Sequence, residues 1–178
     1  MRKTVLFAAL LGLSAVSSAA MAADGQWFVR GEGGTSRLSV DGNSGNDNAF
    51  GVRGGYYFNP YIAVEGFYTN FGQQSDNGGS AKIDGYGAGV ALKKDFGPDN
   101  TGWYISGRGG VLRANATAHI NGLGHFSDNS TKWYVGVGTG YDFNKTFGLG
   151  VNYDYDGVDV FGSSGSIKTL TLAGEVRF

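Results

Sequence analysis

The chain contains no cysteine, so if it is exported its fold is held without disulfides. Proline is scarce, at two residues among 178. Neither charge sign dominates. The 14 basic residues include Arg2 and Lys3 of the N-terminal segment, which leaves 12 against 15 acids and a net charge of −3. That balance excludes a strongly basic nucleic-acid binder, and no nucleic-acid partner is expected. After Ala23 no apolar run approaches the ~20 residues that a membrane helix requires. A membrane form of this chain must therefore be a closed sheet, the other structure that satisfies its backbone groups in lipid.

What is abundant is glycine, at 33 residues, together with 12 Phe, 10 Tyr and 3 Trp. Glycine at that level alone suggests low complexity. Aromatic residues at 14% argue otherwise, because they need a place to be buried. The N-terminus reads Met1-Arg2-Lys3, then the apolar run Val5 to Leu13, then Ala20-Met21-Ala22. A basic start, a short apolar core and a small-x-small end make a secretory signal peptide. Cleavage is expected after Ala22, or after Ala23, and the segment 23–178 forms one domain.

Period-two alternation then runs nearly to the end. Trp27, Val29, Gly31, Gly33 and Thr35 share one face, with Phe28, Arg30, Glu32, Gly34 and Ser36 on the other. Seven further segments repeat the pattern and close on Leu170, Leu172, Gly174, Val176 and Phe178. Eight strands of about ten residues match the length a tilted strand needs to cross a bilayer. Connections near 59–60, 97–102 and 144–146 are short. Those near 41–48, 73–80, 115–130 and 157–165 are long and polar, and are expected as loops. Short turns on one rim and long loops on the other describe an all-β, eight-stranded antiparallel up-and-down transmembrane barrel of an outer membrane.

A soluble barrel would show the same alternation with its apolar face inside. Aromatics near both strand ends favour the membrane form, since such girdles suit two membrane interfaces. Trp27, Phe58, Phe143, Phe147 and Phe178 lie toward the short turns. Tyr68, Trp133 and Tyr155 lie toward the long loops.

The hairpin Gly54-Gly55-Tyr56-Tyr57-Phe58-Asn59-Pro60-Tyr61-Ile62-Ala63-Val64-Glu65, followed by Tyr68, resembles the transmembrane domain of the outer membrane protein A family of Gram-negative bacteria. Trp27-Phe28, the stretch Tyr104 to Ala114 and the Arg177-Phe178 end are similar too. The resemblance implies an eight-stranded barrel whose lumen holds an acid–base network with low, gated ion permeability. It places the inward acid of the third strand on Glu65 and its basic partner on Lys93. The family's second acid–base pair falls on Gly140 and Gly150, so it is absent here. The family's full-length members continue into a periplasmic peptidoglycan-binding domain, and with the chain closing at Phe178 no such anchoring role is expected.

Candidate lumen residues are Arg30, Glu32, Arg53, Glu65, Lys93, Arg108 and Glu175. They form either an ion path or a polar plug, and eight strands leave little more than side-chain room. Glycines at 136, 138, 140, 148 and 150 are expected to leave water pockets. Asp154 points inward, while Asp156 and Asp159 enter a loop as a solvated acidic rim. His125-Phe126-Ser127 has the look of an outer-membrane lipid A deacylase, but Thr139 and Gly140 stand where an orienting carboxylate belongs. No enzyme activity, cofactor or metal site is expected. Leu170, Leu172, Val176 and Phe178 resemble the C-terminal signal read by the barrel assembly machinery. Expected partners are that machinery, periplasmic chaperones, outer-membrane lipids and lipopolysaccharide, with the chain as a monomer. A structural role with weak conductance leads. Surface attachment through the long loops is the alternative.

Overall fold

A computed structural model describes residues 25–178 apart from 41–42, 77–78, 121–123 and 161–162. The expected leader lies outside the described residues. Eight strands follow in order: β1 Gln26–Val40, β2 Asn43–Asn59, β3 Ile62–Asp76, β4 Gly79–Asp95, β5 Gly102–Ile120, β6 Gly124–Asp142, β7 Phe147–Val160 and β8 Ser163–Arg177. All neighbours are antiparallel, and β1 pairs with β8 to close the barrel. Closure reaches the last residue. Trp27 N–H donates to Phe178 O and Phe178 N–H to Trp27 O, both at 2.9 Å. An eight-stranded barrel thereby has no open edge at this rim, as hydrocarbon requires.

The short turns are built by local polar chemistry. The Asn59 side-chain oxygen accepts from Tyr61 N–H at 2.8 Å and Ile62 N–H at 3.0 Å. Asn144 repeats the device toward Thr146 and Phe147, both at 2.8 Å. Such Asx turns replace lost ladder bonds within two or three residues. The third turn carries a 3-10 segment, Pro98–Asn100, and places Asp99 and Asn100 at φ of 54° and 55°. Asn and Asp tolerate this left-handed region better than most residues. These turns, the start of β1 and the end of β8 lie on one rim, the periplasmic one.

The alternation determines which face looks out. Trp27, Val52, Val111, Val137, Leu149, Leu170 and Leu172 are exposed, while Phe28, Arg53, Glu65 and Arg108 are buried. Apolar out and charged in is the reverse of a soluble barrel. Between the two aromatic girdles the one described outward charge is Lys94, at the periplasmic end two residues above Phe96, with its Nζ 5.0 Å over the Tyr61 ring. The periplasmic girdle contains Trp27, Phe58, Trp103, Phe143 and Phe147, and the outer one Tyr68, Tyr86, Trp133 and Tyr155.

The strands run 14 to 19 residues, longer than expected. Most of the stretches read as loops are ladder: Asn115 pairs with Asn129, His119 with His125, and Asp76 with Gly79. Their Gly, Ser and Asn content lowers intrinsic strand preference. A ladder already templated by its neighbour overrides that, because strand propensity is mostly context. The extension is not a continued barrel. Among the described residues the β6–β7 ladder begins at Tyr134–Asp156, although β6 stays paired with β5 up to Gly124. The β2–β3 ladder likewise begins at Phe50–Asn70, although β2 stays paired with β1 up to Asn43. Above the outer girdle the wall therefore parts into two four-stranded sheets.

Candidate functional site

All seven predicted lumen residues point inward and are buried. They are joined by Asp154, which points inward as expected, and by Asp95, Asp142 and Arg177, which the same strand parity carries inward but which were not singled out. Asp156, expected in a loop, is in β7 and only 4% exposed, so the acidic-rim reading is corrected for it. The ladder continues past Tyr155, and inward parity continues with it.

The charges form one connected network. Nearest the periplasm, Lys93 pairs with Asp142 and lies 3.5 Å from Asp95. Asp142 also takes Arg177 at 2.6 Å, and Arg177 reaches Glu175 at 3.2 Å. Glu175 accepts from Arg30 Nε at 2.9 Å, and these two residues are direct partners in the β1–β8 register. Arg30 lies 4.0 Å from Glu32. Glu32 then joins Arg108 at 2.7 Å and Arg53 at 3.4 Å. Arg108 Nε donates to Asp154 at 2.7 Å. Arg53 donates to Glu65 at 2.6 Å, and Tyr134 Oη donates to the same carboxylate at 2.7 Å. Five cations thus alternate with six acids through the depth of the barrel. Alternation offsets the desolvation cost of each member, which no isolated charge here could meet.

Aromatic rings connect the charged layers to apolar ones. The Arg53 guanidinium lies 4.2 Å over the Phe67 ring and Lys93 Nζ lies 4.5 Å over Tyr104. Above the network sits an apolar layer of Phe67, Phe71, Leu112, Val158 and Ile167. The inward glycines do not leave water pockets. An added Cβ at Gly136 would strike Asp154, one at Gly138 Asn152, one at Gly148 Asp142, and one at Gly150 the Tyr104 hydroxyl. These glycines make room for side chains from the adjacent strand or, at Gly150, from β5 one strand farther on. Among the described residues the space is uneven: a vestibule of about 370 Å³ at the periplasmic mouth, bordered by Tyr57, Lys93, Asp95 and Arg177, and about 10 Å³ beside Glu32, Arg53 and Asp156.

The expected Glu65–Lys93 pair does not form. Glu65 is opposite Gly89 in the β3–β4 register, and Lys93 lies four residues farther toward the periplasm. At about 3.3 Å per residue that separates their levels by roughly 13 Å. Shared parity puts two side chains in the same lumen, and register decides whether they meet. A double-mutant cycle on folded barrel stability should therefore show coupling of about 1 kcal/mol or more between Lys93→Ala and Asp142→Ala. Lys93→Ala and Glu65→Ala should be additive. Coupling in the second cycle and none in the first would contradict this pairing.

Of the proposed assembly residues, Leu170 and Leu172 face outward, and Val176 and Phe178 are half-buried at the closing seam. His119 and His125 oppose each other in the β5–β6 ladder, and the side chains of His125 and Ser127 lie outside the described residues.

A sequence family described as the outer membrane protein beta-barrel domain matches residues 6–178. Among solved structures, Neisserial surface protein A is similar at a TM-score of 0.69 and 17% identity, covering 85% of this chain and 97% of that one. The attachment invasion locus protein Ail of Yersinia pestis is similar at 0.64 and 20% identity, over 87% and 99% of the two chains. The N-terminal β-barrel domain of Pseudomonas aeruginosa OprF is similar at 0.54 and 18%, over 86% and 99%. No curated protein sequence matches the chain. At these identities the likenesses show the fold alone. A closed eight-stranded sheet, a mostly apolar outward band between two aromatic girdles and a family match over nearly the whole length agree: the chain belongs to the outer membrane β-barrel domain family and is an integral protein of the bacterial outer membrane.

Proposed function

We propose that this barrel serves the envelope as a structural element whose lumen passes at most a slow trickle of ions. The observation that carries this reading is the filled interior: a continuous ion-pair network capped by an apolar layer, with space for about one water beside Glu32 and Arg53. A conducting pore needs a continuous wet path, and among the described residues the space narrows from about 370 Å³ in the periplasmic vestibule to about 10 Å³ beside Glu32 and Arg53. Single-channel recording in planar bilayers tests this. The wild type should give rare, small openings. Phe67→Ala with Ile167→Ala, which thins the apolar layer, should raise open probability or conductance severalfold. Large, persistent wild-type steps would defeat the reading.

Surface attachment is a second reading, favoured by strands that rise well past the outer girdle. Ail, named as an attachment invasion locus protein and solved with the heparin analogue sucrose octasulfate, shares the fold. No enzymatic role is proposed, and His125 and Ser127 are read as residues of the β5–β6 hairpin. We assign Leu170, Leu172, Val176 and Phe178 to recognition by the barrel assembly machinery, after delivery by periplasmic chaperones. The seam hydrogen bonds at Phe178 support a role in closure as well. The lipid partners are those of the outer membrane, with lipopolysaccharide contacting the upper girdle.

A further inference from the structure

The outward face of the barrel changes character at its upper boundary. Within the membrane band its one described charge is Lys94 at the periplasmic end, but directly above the band stand Arg113 on β5, Lys168 on β8 and Arg37 on β1, all exposed. The register links them into an arc with aromatic residues. Arg113 is the β4–β5 partner of Tyr86. Trp133, on β6, is paired with Val111, two residues below Arg113. Trp133 stacks on Tyr155 of β7, with centroids 5.6 Å apart and planes at 22°. Tyr155 is the partner of Lys168, and Lys168 is the partner of Arg37.

The Arg37–Lys168 contact is the telling one. Two cations directly opposite on neighbouring strands repel and destabilise the ladder. Each could be relieved by an acid, and among the described residues none pairs with Arg37, Lys168 or Arg113. Arg37 and Arg113 reach only the neutral Ser44 and Asn129 side chains, each at 3.0 Å. Two residues below the pair sit Thr35 and Leu170, the top of the apolar band. A missing counter-charge at this height has one abundant source, the phosphate layer of the outer leaflet.

We propose that Arg37 and Lys168, with Arg113 and the Trp133–Tyr155 stack, form a docking site for a phosphorylated glycolipid of the outer leaflet, lipid A. The cations take its phosphates, as charge complementarity requires. The stacked rings accept the apolar face of its sugar, and the acyl chains run down the band beneath. The site rests on the proposed contact with lipopolysaccharide and assigns residues to it.

Native mass spectrometry of the folded barrel titrated with bisphosphorylated lipid A tests the site, with the same lipid stripped of both phosphates as control. The wild type should bind the phosphorylated lipid more tightly. Arg37→Ala with Lys168→Ala should lose roughly 25-fold in that affinity, since each basic residue near an anionic surface contributes about fivefold. Affinity for the stripped lipid should not change. Arg37→Lys with Lys168→Arg keeps both charges and should bind as the wild type does. Gel mobility before and after heating confirms that each variant is folded, and Lys168→Gln alone replaces the double variant should the latter not fold. If the wild type discriminates by phosphate and the charge-removed variant does so equally, the site is wrong and the lipopolysaccharide contact stands. If the wild type shows no phosphate preference, the contact itself is wrong and the site falls with it.

Discussion

Replacing Arg108 by alanine is expected to lower the stability of the folded barrel by about 3–5 kcal/mol, the usual cost of removing one partner from a buried ion pair. Arg108 holds Glu32 at 2.7 Å and Asp154 at 2.7 Å, so its loss leaves two facing carboxylates without their shared cation. Asp156 is buried on the same strand as Asp154, which adds a third carboxyl group to this layer without a further cation among the described residues. Urea titration in lipid vesicles, followed by tryptophan fluorescence, measures the change. Arg108→Ala with Asp154→Ala should recover part of the loss, because the second substitution removes one stranded charge. A loss below about 1 kcal/mol for Arg108→Ala would mean that water, not protein, neutralises this layer.

Val137→Arg is expected to cost about 2–4 kcal/mol, the penalty for a guanidinium on the lipid face near the bilayer midplane. Val137 is 61% exposed, midway along β6 between Trp133 and Tyr141 of the two girdles. On a soluble barrel such a residue would be a surface position and the change would cost almost nothing. Thr131→Arg, two residues above Trp133 on the same outward face, is the matched control and should be nearly neutral. The same urea titration reads both. Equal small effects would show that the outward band does not face hydrocarbon.

Strand number, the outward face and the assignment of rims were legible in the residues. The alternation around Trp27, Val29 and Arg30 is a local property of an extended backbone. Short turns such as Asn59-Pro60 mark one rim through local side-chain chemistry. Strand ends were misjudged at 41–48 and 115–130 for the opposite reason. Nothing local says that Asn115 and Asn129 will be held in register by the ladder below them. The inward glycines illustrate the same limit. Gly136 and Gly150 read as space, whereas Asp154 and Tyr104 fill that space from elsewhere in the sequence.

The sequence by itself determined a closed, membrane-facing barrel of eight strands with charges inside, because period-two patterning fixes parity residue by residue. Only the tertiary structure decided which of those charges meet. Lys93 and Asp142 stand on strands β4 and β6, which are not neighbours, and touch across the lumen, while Lys93 and Glu65 stand on neighbouring strands and do not. Depth in the barrel follows from register and tilt summed around the whole sheet, a property of its closure that no single segment encodes.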